Sequence, residues 1–205
     1  NDTCFKSCHL VKNLLENYDR LESFSYWSLT DFIEEMQISP DLYHGGLGMF
    51  TYSGIPKANY NAFVLLTRLG DTFLGKGDGY FITKSERGLS IMLYNYEHYS
   101  KLFADGQRTE QDTSDRYSTF EEKNNAQFSI RVTGLPAESV LVKERFINQY
   151  AGSSYDTWVR MGSAPLKDPQ DLELLTQEAR PGLYMHIENV NGGELTLHTR
   201  LRSLE

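Results

Sequence analysis

Leu21-Glu22-Ser23-Phe24-Ser25-Tyr26-Trp27-Ser28-Leu29 is the stretch on which the fold turns. It is short, aromatic and alternating, with Phe24 and Tyr26 to one side and Ser25 and Trp27 to the other, which predicts a β-strand. Upstream, Cys4, Cys8, Val11, Leu15 and Tyr18 recur at helical spacing, and Leu10 and Leu14 widen the face. Residues 3–18 therefore read as an amphipathic helix, capped by Asp2 or Thr3 and broken at Asn17-Tyr18-Asp19. Downstream, a loop from Thr30 to Ser53 holds Glu34-Glu35 and the run His44-Gly45-Gly46-Leu47-Gly48. A second helix follows with Pro56 in its first turn, Ala62, Phe63, Leu66 and Leu69 on one face, and Gly70 as its stop. Helix, strand, long loop and helix is the grammar of α/β layers. These few elements cannot close a barrel or a doubly wound sheet, so residues 1–75 are expected to be the end of a larger α/β domain.

After Phe73 the period changes. Gly75-Lys76-Gly77-Asp78-Gly79 reads as a glycine-rich junction, and a domain boundary is expected near residue 75. Tyr80–Lys84 and Leu89–Asn95 flank Glu86-Arg87-Gly88, a hairpin signal. Phe128, Ile130 and Val132 alternate, as do Val140, Val142 and Phe146 beyond Gly134-Leu135-Pro136, and Leu195 to Leu201. Residues 101–125 are polar and charged and read as an exposed loop. One short helix is expected at Pro169–Glu178, with Asp168 as cap and Pro169 at its first position. Short strands joined by turns predict an antiparallel β-sandwich over residues 76–205. The expected fold is thus a mixed α/β remnant followed by that sandwich.

The 205 residues carry 20 Lys plus Arg against 28 Asp plus Glu, a net charge of −8, and neither part is basic, which removes the bulk electrostatic case for nucleic acid or an anionic membrane surface. Hydrophobic residues at 40% and aromatics at 13% exclude a disordered chain, a collagen or a coiled coil. No apolar run approaches the ~20 residues that span a bilayer. Asn1-Asp2-Thr3 has no basic n-region and no apolar h-region, so no signal peptide is expected there. Cys4 and Cys8, four apart on a helix, sit farther apart than a disulfide allows and read as two reduced core thiols, compatible with the cytoplasm.

Few motifs carry chemistry. Glu34 and Glu35 are adjacent acids shortly after a strand, where barrel enzymes keep functional groups. Neighbours in extended chain point to opposite sides, so these two do not form a glycosidase acid–nucleophile pair by themselves. They read either as a solvated acidic loop or as carboxylates that accept hydrogen bonds from hydroxyl groups. Trp27 reads either as a core residue or as a flat apolar platform. The His44–Gly48 run is like a lipase oxyanion loop, but no Gly-x-Ser-x-Gly elbow accompanies it, and a tight turn is the better account. Gly75–Gly79 has neither Walker nor Rossmann spacing. The five histidines are scattered and make no zinc pattern, so no metal and no cofactor is expected.

Asp2-Thr3-Cys4-Phe5, Ser25-Tyr26-Trp27-Ser28-Leu29-Thr30-Asp31-Phe32-Ile33-Glu34-Glu35, His44-Gly45-Gly46-Leu47-Gly48 and Ile55-Pro56-Lys57 resemble family 39 of the glycoside hydrolases, the β-xylosidase and α-L-iduronidase family. The resemblance continues through Ala62-Phe63, Arg68-Leu69-Gly70, Leu93-Tyr94-Asn95-Tyr96 and Thr157-Trp158-Val159-Arg160-Met161-Gly162. It implies a (β/α)8 barrel whose last turn is residues 1–75, followed by the sandwich. It implies that Trp27, Glu34 and Glu35 line a subsite for a xylose-type saccharide. The family retains configuration, with an acid/base Glu in an Asn-Glu-Pro motif and a nucleophile Glu just before the Asp-Thr block. Neither is found in residues 1–205, so these residues are expected to be catalytically silent. Gly77-Asp78-Gly79-Tyr80, Leu93-Tyr94-Asn95-Tyr96, and Ile147-Asn148 followed by Gly152-Ser153-Ser154-Tyr155-Asp156 are also similar to AraC-type transcriptional regulators, some of which carry a family-39-like region; that alternative implies a sugar sensor. A truncated barrel edge at Leu21–Leu29 further predicts homodimerisation through unpaired strand edges.

Overall fold

The computed structural model describes residues 1–32, 41–107, 115–121 and 124–205. Helix α1, Cys4–Glu16, buries Cys4, Phe5, Cys8, Val11 and Leu15 at the predicted spacing, with Ser7 and Leu10 beside them. Its first turn is not capped as expected. Thr3 occupies the cap position without a side-chain bond, and the Asp2 carboxylate accepts instead from the Gly45 backbone at 2.7 Å. Helix α2, Ala58–Leu66, lies against α1 and buries Ala58, Asn59, Asn61 and Ala62. It ends before Gly70. That glycine serves a close approach: a Cβ there would stand 2.3 Å from the Lys84 carbonyl oxygen.

The predicted strand at Leu21–Leu29 is absent. The segment is irregular, and its first ladder contacts begin only at Ser28, where Ser28–Asp31 exchanges backbone hydrogen bonds with Leu47–Phe50 around one parallel bridge, Thr30↔Phe50. The aromatic alternation reflects other packing. Phe24 and Tyr26 lean on Phe63 of α2, with ring centroids 6.2 and 5.7 Å away. The strand on which edge-paired dimerisation was premised is therefore not present as a strand, although Phe24, Trp27, Leu29 and Phe32 are exposed.

From residue 72 onward, strand pairing among the described residues is antiparallel. A meander of β1 (Thr72–Gly77), β2 (Tyr80–Ser85) and β3 (Gly88–Leu93) has the order β1-β2-β3. The supposed junction at Gly75–Gly79 is the end of β1 and its hairpin turn: Gly77 pairs with Tyr80, and Gly79 takes φ +74°. The second hairpin turns at Glu86-Arg87, as the sequence predicts, with Ser85 opposite Gly88. Strand β4 (Ala126–Thr133) pairs with β7 (Glu194–Leu201), and β5 (Ser139–Phe146) with β6 (Gly182–Asn189). The bonds Leu135 N–H to Gly193 O and Val190 N–H to Glu138 O carry the pairing across the bend between these two ladders. Among the described residues no closed barrel occurs.

The expected exposed loop at 101–125 is corrected in two places. Lys101–Ala104 forms a short helix, α3, and Arg116–Thr119 forms a 3₁₀ turn in which Arg116, Tyr117 and Thr119 are buried, followed by buried Phe120. Helix α4, Ser154–Arg160, was not signalled; α5, Pro169–Glu178, was, and Asp168 caps it by accepting from Gln170 N–H at 2.8 Å. One hydrophobic core runs from Cys4, Cys8 and Ala62 through Phe81 and Tyr94 to Tyr155, Trp158 and Leu175, so residues on both sides of position 75 share it.

Candidate functional site

The feature that organises the N-terminal region is a buried set of charges. Lys57, at the cap position of α2, is 1% exposed. Its ammonium group stands 2.7 Å from Asp2 Oδ1 and 2.8 Å from Asp31 Oδ2, and donates to the Gly46 carbonyl at 3.0 Å. The same nitrogen also stands 2.9 Å from Asp31 Oδ1, so its hydrogen bonds go to both Asp31 oxygens and to the Gly46 carbonyl, with Asp2 Oδ1 as an ion-pair partner. Arg116 pairs with the second oxygen of Asp2 and donates to the Tyr43 carbonyl at 3.0 Å. Two carboxylates thus face two cations, which is the condition under which ions survive burial. Burial opposes ionisation of Asp2, but the pull of Lys57 and Arg116 prevails and holds its pKa at about 2.

These charges hold a loop. The Gly48 N–H donates to Asp31 Oδ1 at 2.8 Å, and Asn59 donates to Gly48 O at 3.0 Å and to the Tyr26 hydroxyl at 2.7 Å. A Cβ on Gly46 would lie 2.4 Å from Asp31 Oδ1, and one on Gly48 would lie 2.3 Å from the Asp31 backbone nitrogen. The glycines of the His44–Gly48 run are therefore required by close approach as well as by the turn at Gly45, φ +83°. The same loop grips the segment that bears Trp27. Ser28 N–H donates to Leu47 O at 3.3 Å, and Met49 N–H donates to Ser28 O at 3.0 Å; the Trp27–Ser28 peptide is cis.

Trp27 is 64% exposed. It is not a core residue: its indole, on a backbone fixed from one side, is open to solvent. Glu34 and Glu35 lie outside the described residues. His44 is partly exposed, its Nδ1 3.1 Å from the Asp41 carbonyl. Beside it a concavity of about 300 Å³ is lined by Asn1, Thr3, His44, Tyr99, Phe103 and Phe120. Among the described residues no group of His, Cys, Asp and Glu could hold a metal ion, and no helix is long and apolar enough to cross a membrane.

A second buried cluster surrounds Asp156 at the start of α4. Its Oδ2 accepts from Ser153 Oγ and, at 2.9 Å, from the Tyr117 hydroxyl, while Cys4 Sγ approaches to 3.9 Å. Burial raises its pKa to about 6 despite these bonds. Sequence reasoning missed both clusters. The only signal for the first was Lys57 between Pro56 and the apolar start of a helix, an unusual place for a lysine.

The Glycosyl hydrolases family 39 model matches residues 1–196. This chain belongs to that family. Over 176 residues the family 39 chain is 26% identical to a β-xylosidase of Geobacillus stearothermophilus, covering 85% of this chain and 31% of that protein. Over 70 residues it is 37% identical to a β-xylosidase of Caldicellulosiruptor saccharolyticus, covering 34% of this chain and 14% of that protein. In fold it is similar to the GH39 enzyme from Xanthomonas axonopodis pv. citri, with a TM-score of 0.77 at 18% identity over 99% of this chain and 39% of the other. A monomeric β-xylosidase from Caulobacter crescentus CB15 gives the same TM-score and identity, with 40% of its chain covered. The family 39 chain thus spans about a third or less of these curated relatives and two fifths of these structures.

Proposed function

We propose that residues 1–205 are the C-terminal part of a β-xylosidase-like, retaining glycoside hydrolase of carbohydrate metabolism, acting in the cytoplasm on a xylose-type saccharide. In this reading residues 1–75 are the end of the (β/α)8 barrel and residues 76–205 its sandwich domain. Trp27 supplies the platform for the sugar ring, and Glu34 and Glu35 accept hydrogen bonds from its hydroxyls. The observation that carries the reading is the exposed indole of Trp27 on a backbone bonded to the His44–Gly48 loop, in a family 39 chain. Membership of a family alone does not give a substrate; the exposed ring is what points to a saccharide face. The cytoplasmic placement draws on the two free, buried cysteines.

Retaining hydrolysis needs an acid and a nucleophile, and residues 1–205 contain no Asn-Glu-Pro motif. Residues 1–205 alone should therefore release nothing from an aryl β-xyloside. In the full polypeptide that carries them, Trp27→Ala, Glu34→Gln and Glu35→Gln should each raise KM for that substrate. Turnover by residues 1–205 alone, abolished by Glu34→Gln, would overturn the assignment. Sugar binding without turnover, coupled to DNA binding by the full polypeptide, would replace the enzyme with the AraC-type sensor.

A further inference from the structure

We infer that Lys57 is a positioning residue for the saccharide platform: buried between Asp2 and Asp31, it sets where the Trp27 indole stands. The inference rests on the reading of Trp27 as a sugar-binding residue, but its geometric part stands by itself.

The path from Lys57 to Trp27 is short and made of directional contacts. The ammonium bonds to Asp31 and to the Gly46 carbonyl fix the two ends of one small frame. Asp31 clamps the loop a second time by accepting from Gly48 N–H, and its own N–H donates to Phe50 O at 2.9 Å. Leu47 and Met49, on either side of Gly48, hold both backbone polar groups of Ser28, the residue after Trp27. Between Lys57 and the indole there are thus only Asp31, one glycine-rich loop and the Ser28 backbone. No other side chain ties Asp2, Asp31 and the Gly46 carbonyl at one point among the described residues.

A lysine is suited to this. Its ammonium is a compact point charge with rotatable donors, and Asp2, Asp31 and the Gly46 carbonyl converge here on one nitrogen. An arginine fork presents its donors in a plane and does not match them. Position matters at such a platform, because small displacements of a binding group cost large factors in recognition.

Removing Lys57 alone leaves two buried carboxylates against Arg116, so the informative variant is the charge-balanced Lys57→Met/Asp31→Asn, which leaves Asp2 paired with Arg116. Lys76→Met, at the exposed pair with Asp19, is the control. In the full polypeptide, the double variant should unfold cooperatively and should give Trp27 a fast component in time-resolved fluorescence anisotropy, after subtraction of every other tryptophan with a matched Trp27→Phe sample. KM for the aryl β-xyloside should rise about tenfold with kcat nearly unchanged. Adding Trp27→Ala to the double variant should cost nothing beyond Trp27→Ala alone, because both act through one ring.

Unchanged anisotropy in the folded double variant overturns the positioning role. Effects that add to those of Trp27→Ala overturn it too, since Lys57 would then act by another route. If Trp27→Ala leaves KM untouched while the double variant frees the indole, the saccharide reading fails and the positioning role stands.

Discussion

Raising the pH from about 4 to about 7 should remove a stabilisation that Asp156 provides, and Asp156→Asn should be spared that loss. The carboxyl is 8% exposed and accepts from Ser153 and Tyr117, yet burial outweighs those bonds and moves its pKa from 3.8 to about 6. The folded state therefore holds the proton more tightly than the unfolded chain. That preference contributes fully below about pH 4, declines as the pH rises, and is gone above about pH 6. At about 1.4 kcal/mol per unit, the full swing is about 3 kcal/mol. Asparagine keeps an oxygen for Ser153 and Tyr117 and stays neutral at every pH. Urea unfolding of both proteins across this range should show the variant gaining about 3 kcal/mol on the parent between the two ends. A difference that stays flat with pH, or that grows in the opposite direction, refutes the argument, because it would mean that Asp156 is ionised in the fold at no cost. Asp2 must be kept apart in the fit. Its pKa is lowered, so its stabilisation is present above about 4 and lost as the pH falls toward 2.

Lys57→Met alone should cost about 3–5 kcal/mol in the same assay, since it strands buried carboxylates, whereas Lys57→Met/Asp31→Asn should recover most of that loss; equal costs for the two would deny that charge balance matters. Burial raises the pKa of both thiols, Cys8 to about 12, so neither should react with an aromatic disulfide reagent at neutral pH until the protein unfolds, when both should. Rapid labelling of the native protein would show that α1 is not seated as described.

Where chemistry follows one element, the sequence is transparent. The thiols and Val11 recur along α1, Glu86-Arg87 turns the second hairpin, and Asp168-Pro169 opens α5, because each depends on neighbours in the chain. The segment around Trp27 misleads for a reason of the same kind: Phe24 and Tyr26 alternate, but they do so against Phe63, and a ladder needs partners that period alone cannot supply. Arg116 and Tyr117 look solvated in a polar stretch and are buried because Asp2 and Asp156, far away in sequence, receive them. The site divides in the same way. Trp27 could be singled out by its type and position, whereas the Asp2–Lys57–Asp31 frame joins three distant points and leaves no period to read.

The paired ladders β4–β7 and β5–β6 impose an order on folding. Their nearest partners in sequence are Phe146 and Gly182, and the span between them is the one that contains α4 and α5. Their farthest are Ala126 and Leu201. Closing a short span loses less chain entropy than closing a long one, so pairing should start at Phe146 and Gly182, with the two helices already drawn together, and proceed outward past the bend at Leu135 and Gly193. The far end of β7, with buried Leu201, then pairs last within these ladders. Within these ladders β7 is a latch, whose far end should close on β4 only after everything enclosed between Phe146 and Gly182 is in place.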